Sequence, residues 1–128
     1  MSVAEQTEIV SAIRAWVDAE VIPSASELEH ADAFPETLVE QMKELGLFGV
    51  IIPEEYGGLG LDLTAYVQIQ IELSRGWMSL SGVLNTHFLS AWMIQRYGTD
   101  DQRQRYLPRM ARGEVRSAYS MTEPHAGS

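Results

Sequence analysis

Ile9, Val10, Ile13, Trp16, Val17 and Val21 recur at three- and four-residue steps, the spacing of one face of an α-helix. Pro23 disfavours helical geometry at Ile22, so this helix is expected to span 3–22. Residues 24–33 are polar and read as a connector. Pro35 suits a first helical position, Leu38, Met42 and Leu45 form an apolar face, and Gly46 suits the left-handed position after a helix. These predict a second helix over 35–45. Val50-Ile51-Ile52 reads as a short extended run stopped by Pro53, and Gly57-Gly58-Leu59-Gly60 as a turn.

Residues 67–73 are ambiguous. Their strict alternation and β-branched side chains argue for a strand. Leu63, Tyr66, Val67, Ile69, Ile71 and Leu73 also cover a wide helical arc, with Asp62 placed as N-cap. Length favours a helix over 62–75, because no breaker interrupts it. Residues 80–96 form another unbroken apolar stretch, predicting a helix over 79–97 that Gly98 ends. Thr99 and Gln102 then have the spacing of a capping box, opening a helix over 99–112 with Pro108 inside it. After Gly113 the period changes, and residues 116–122 read as a strand. The expected fold is all-α, a bundle of five or six helices with a short C-terminal strand segment.

Composition narrows the function classes. The 128 residues suit one domain able to bury roughly two-thirds of its unfolded surface. A net charge of −9, from 18 acidic and 9 basic residues, would repel a nucleic-acid backbone. The longest apolar run, residues 46–53, is too short to span a bilayer, and the N-terminus resembles no targeting peptide. Arg14 is the only cation among Glu5, Glu8, Asp18 and Glu20, so the first helix is expected to pack on a core rather than on anionic lipid. Without cysteine there is no disulfide framework and no thiolate site. A soluble, cytoplasmic domain is expected.

Most apparent motifs have bland explanations. The glycine turn matches neither dinucleotide nor P-loop spacing. His30, His87 and His125 lie at spacings that suit no metal site, and His87 reads as a satisfied histidine within a helix. Adjacent acidic pairs Glu54-Glu55 and Asp100-Asp101 diverge on any regular element. Arg105, Arg109 and Arg112 line up as a solvated helix face. No nucleophile–base constellation is present, and no residue is assigned a catalytic role. Residues 119–128 differ: they run into a polar turn offering a hydroxyl, a carboxylate, backbone N–H groups and a flexible glycine. Such a segment could serve the polar edge of a flavin, or be a plain loop.

Several motifs occur in the order and spacing of one family. Phe34-Pro35, Leu45-Gly46-Leu47, the turn Pro53-Glu54-Glu55-Tyr56-Gly57-Gly58-Leu59-Gly60, Gly98-Thr99-Asp100-Asp101-Gln102, Tyr106-Leu107-Pro108 and Gly113-Glu114 lead to Thr122-Glu123-Pro124-His125-Ala126-Gly127-Ser128. Together they resemble the acyl-CoA dehydrogenases, whose flavin signature is usually written TEPxAGSD. The resemblance covers essentially the whole chain and decides for a helix over residues 67–73. It implies residues 1–115 as an N-terminal helical domain and 116–128 as the start of a middle β-domain, within an enzyme completed by a C-terminal helical domain. The implied activity is α,β-dehydrogenation of an acyl-CoA by bound FAD. A downstream glutamate acts as base, and an electron-transfer flavoprotein usually reoxidises the cofactor. Tyr119, Met121 and Thr122 would face the flavin, and Gly127 and Ser128 would reach its phosphates or the substrate thioester. Ser81, Leu84, Asn85 and Phe88 would line the acyl pocket. Ser120 departs from the small residue usual at its place. The closing aspartate and the glutamate base are absent, so activity is expected of a full-length, homo-oligomeric parent (dimer or tetramer) and not of this segment. Flavin monooxygenases and nitroalkane oxidases on the same fold are alternatives, as is a non-catalytic helical subunit.

Overall fold

The computed structural model describes residues 1–127. Its described residues form five α-helices: α1 (Val3–Trp16), α2 (Ile22–His30), α3 (Glu36–Glu44), α4 (Leu63–Tyr97) and α5 (Asp100–Ala111). Ser2 and Glu5 build a capping box at the start of α1 that the sequence reading missed, with Glu5 N–H donating to Ser2 Oγ at 3.2 Å and Ser2 N–H to Glu5 Oε2 at 2.7 Å. Gln6 and the Asp62 cap exchange two further bonds of 3.2 Å, joining the starts of α1 and α4.

The first helix does not stop before Pro23, and residues 24–33 are not a simple connector. A π-turn over Val17–Val21 carries the chain into α2, with Ile22 N–H donating to the Val17 carbonyl. Proline lacks an N–H and would crowd the carbonyl four residues back. The wider i→i+5 turn relieves that clash, and the Ser24 hydroxyl donates to the Glu20 carbonyl at 2.7 Å beside it. Residues 50–52 are likewise not extended. Gly46, at φ 72°, leads into the 3₁₀ turn Leu47–Gly49, and Val50 has helical angles. Leu47, Phe48, Val50 and Ile52 are all fully buried, and an alternating strand could not bury the adjacent Leu47 and Phe48 on one side. Gly58 holds this loop closed, since a Cβ there would overlap the Ile52 carbonyl.

Residues 67–73 are helical, and Asp62 caps α4 by accepting from Ala65 N–H at 2.9 Å. Within α4, Trp77 is extended (φ −161°, ψ 112°). Tyr66 and Asn85 are 19 positions apart, about 28 Å along a straight helix. Yet the Tyr66 hydroxyl lies 3.5 Å from Asn85 Oδ1, and the Tyr66 and Phe88 rings sit 5.4 Å apart. The chain therefore doubles back at Trp77 into two antiparallel arms, residues 63–76 and 78–97, as the two predicted helices required. The bend is wedged on the π-turn: a Cβ at Gly76 would come within 2.6 Å of Val17 Cγ1 and 2.9 Å of Val21 Cγ1. Arg75 pairs with Asp18 at 2.7 Å and with Glu72 at 2.8 Å, Arg14 reaches Glu72 at 2.8 Å, and the Trp77 indole N–H donates to Glu29. The Arg14 hydrogen bond, ahead of the Arg75 contact, holds the Glu72 carboxyl below the usual carboxylate range despite its burial.

The predicted capping box of α5 is present, with Gln102 N–H donating to Thr99 Oγ1 at 3.2 Å and Thr99 N–H to Gln102 Oε1 at 2.9 Å. Beyond Gly113, at φ 68°, the expected strand over 116–122 is not formed. A strand needs a neighbouring ladder, and the described residues supply no partner. No described helix is long and apolar enough to cross a membrane.

Candidate functional site

Tyr119, Met121 and Thr122 are exposed in a stretch whose backbone, from residue 116 to 122, makes no backbone–backbone hydrogen bond among the described residues. Its N–H and C=O groups are therefore available to a ligand, and so is the Thr122 hydroxyl, which bonds to nothing within the described residues. Glu123 and Ala126 then close a small turn through bonds of 2.8 and 3.2 Å. Gly127 folds back on Thr122, and a Cβ at Gly127 would approach Thr122 Cγ2 to 2.8 Å. Free polar groups beside a glycine cradle fit what a flavin's polar edge and diphosphate require. Tyr119 leans on Met121, with its hydroxyl 3.3 Å from the sulfur. Ser128 lies outside the described residues.

The four residues expected along an acyl pocket separate into two sets on the second arm of α4. Leu84 and Phe88 are 0% and 3% exposed and belong to the helical core. Ser81 is half-buried and Asn85 is exposed. Gly82 and Leu89, which the sequence reading passed over, share this open side: a Cβ at Gly82 would meet no neighbour, and Leu89 is exposed. The only sequence signal was helical phase, which is weak in an arm that is apolar on several sides. Asn85 connects through the Tyr66 hydroxyl to Gln70, whose Nε2 donates to that hydroxyl at 2.6 Å.

His87 lies behind this face, completely buried between the rings of Phe48 and Phe88 at centroid distances of 5.1 and 5.2 Å. Its Nε2 is 3.1 Å from the Phe48 carbonyl oxygen, to which it donates as the Nε2–H tautomer, and Nδ1 is left without a partner. The expectation of a satisfied histidine holds for one nitrogen. Burial pushes the imidazole below its ordinary pKa, the bond to the Phe48 carbonyl opposes this, and the Arg116 charge adds to it. The predicted arginine face of α5 is solvated: Arg109 and Arg112 reach Glu114 at 3.7 and 2.6 Å, and Arg105 lies over the Tyr106 ring.

Comparison with known proteins identifies the surroundings of this segment. The family model described as acyl-CoA dehydrogenase, N-terminal domain, matches residues 3–114. An acyl-CoA dehydrogenase of Bacillus subtilis is 34% identical over 97% of the chain, which spans 33% of that relative's length. A glutaryl-CoA dehydrogenase solved with glutaryl-CoA superposes with a TM-score of 0.88 at 34% identity, over 99% of this chain and 33% of its own. An acyl-CoA dehydrogenase from Bacillus anthracis complexed with FAD superposes with a TM-score of 0.81 at 33% identity, over 98% of this chain and 22% of its own.

Proposed function

The chain belongs to the acyl-CoA dehydrogenase N-terminal domain family, and from that premise we propose that it is the helical front domain of an FAD-dependent enzyme that dehydrogenates the α,β bond of an acyl-CoA thioester. The observation that carries this reading is the run of unpartnered backbone groups and the free Thr122 hydroxyl, directly after the matched helical region. Bound FAD would supply the hydride acceptor for the reaction. Thr122 would hydrogen-bond the flavin's polar edge, Tyr119 and Met121 would flank it, and Gly127 and Ser128 would offer N–H and hydroxyl donors to its diphosphate or to the substrate thioester. Ser81 and Asn85 would present polar groups to the acyl chain, with Leu84 and Phe88 setting the position of that helical face from behind. No residue of this chain is proposed as the proton-removing base. An electron-transfer flavoprotein is the proposed electron acceptor, and the full-length enzyme is proposed to be a homo-oligomer.

The test uses the protein encoded by the full reading frame around this segment. It should purify yellow and bleach with an acyl-CoA, and Thr122→Val should slow flavin reduction and shift the flavin potential while leaving folding intact. Unchanged reduction kinetics and potential in that variant would remove Thr122 from the site.

A further inference from the structure

Two contacts from separate elements converge on adjacent residues where the C-terminal segment leaves the helical core. The Arg116 guanidinium lies 5.7 Å from the centroid of the Phe34 ring, on the link between α2 and α3. The Ser117 hydroxyl sits 3.4 Å from the Thr86 carbonyl oxygen and 3.3 Å from that of His87, on the second arm of α4. This turn of α4 is itself tightly held, because the His87 ring is fully buried between two phenylalanines and bonded to the Phe48 carbonyl. Between the two contacts the chain spans a cleft of about 290 Å³ lined by Phe34, Val83, Thr86, Arg116, Ser117 and Ala118. From Ala118 to Gly127 every residue is exposed.

We infer that Phe34, Arg116 and Ser117 form a clasp that sets the direction in which residues 118–127 leave the core, making Arg116 and Ser117 positioning residues for the cofactor segment. A single contact would fix a point and leave the following chain free to swing about it. Contacts at neighbouring residues, one to an aromatic face and one to two successive helix carbonyls, fix a direction as well. Phe34 is 55% exposed even with the Arg116 guanidinium over its ring. The clasp touches neither flavin nor substrate and acts only through Thr122 and the turn after it. This inference rests on the flavin reading above.

The experiment has two arms. In the 128-residue chain, backbone NMR order parameters at Ser117 and Ala118 should approach those of the helices (about 0.85) and fall toward flexible values (below about 0.6) over 121–127. Phe34→Leu and Ser117→Ala should each lower the values at 117 and 118, and Ser117→Thr, which keeps the hydroxyl, should restore them, with the melting temperature unchanged throughout. In the full-length protein, the same two variants should weaken FAD binding about threefold to tenfold each, and Ser117→Thr should recover it. Flat order parameters across the variants would overturn the clasp. Altered order parameters with unchanged FAD affinity would overturn its positioning role while leaving the flavin reading intact. A wild-type full-length protein that holds no FAD would sink the reading and the positioning role together.

Discussion

The bend of α4 and the C-terminal segment are both places where the chain abandons helix, and they are held in opposite ways. At Trp77 the departure is locked from several sides: Gly76 is wedged against Val17 and Val21, Arg75 bridges Asp18 and Glu72, and the indole is tied to Glu29. Beyond Arg116 the chain has a clasp at its root and then exposed residues, of which 118–122 make no backbone–backbone hydrogen bond among the described residues. The polar side chains of the bend are already paired with one another, the buried Glu72 with two arginines. The backbone groups of residues 118–122 remain free for something outside the domain. The first region is fold, and the second is the proposed cofactor segment.

That contrast can be broken most severely at the bend. Gly76→Ala should destabilise the chain by about 1–3 kcal/mol, because overpacking against the π-turn outweighs the helix preference of alanine. Urea denaturation would measure it, and an unchanged midpoint would mean that the two bends are not interlocked.

Acid should act on the core side of the contrast in two separate windows. The folded state holds His87 below its unfolded pKa of about 6.5, so the unfolded chain binds the extra proton first. Stability attributable to His87 is therefore complete above about pH 6.5 and falls below it, by at most about 1.4 kcal/mol per pH unit for this one proton. Glu72 has a lowered pKa, so the stability from its pairs with Arg14 and Arg75 is present above about pH 4.5 and is lost only as pH falls through the folded value. Denaturation midpoints between pH 7 and 5 should decline in the wild type and stay flatter in His87→Gln; parallel curves would remove His87 as the source.

The smallest effect on stability belongs to the other region. Thr122→Val should change the unfolding free energy of the 128-residue chain by less than about 0.5 kcal/mol, as expected for an exposed hydroxyl without a partner. A larger loss by calorimetry would place Thr122 in the fold.

The helical faces, the Asp62 cap and the Thr99–Gln102 box were legible in the sequence because each depends on residues within one or two turns. The passage through Pro23 was not: a π-turn changes backbone geometry without leaving a periodic signature, and the steric rule for proline pointed the other way. The burial of consecutive Leu47 and Phe48 depends on the turn closed at Gly58 against Ile52 and Gly49, an irregular loop with no periodic signature. On the second arm of α4, apolar residues on several sides concealed that Leu84 and Phe88 face inward while Gly82 and Leu89 do not. The strand read over 116–122 has the right local pattern, but strand pairing is a property of two segments.

This chain folds as a helical scaffold and is proposed to carry only part of a flavin site. Three or four hydrogen bonds from residues 119–128 would contribute roughly 0.5–1.5 kcal/mol each. Ordering ten residues costs about 1–2 kcal/mol apiece in backbone entropy, which cancels that gain. The most direct measurement is a fluorescence titration of FAD against the 128-residue chain, alongside the flavin content of the full-length protein. No saturable binding to the 128-residue chain is expected up to about 100 μM, and the full-length protein should purify with FAD bound. Tight binding by the short chain, or a full-length protein with no affinity for FAD, would contradict the proposal.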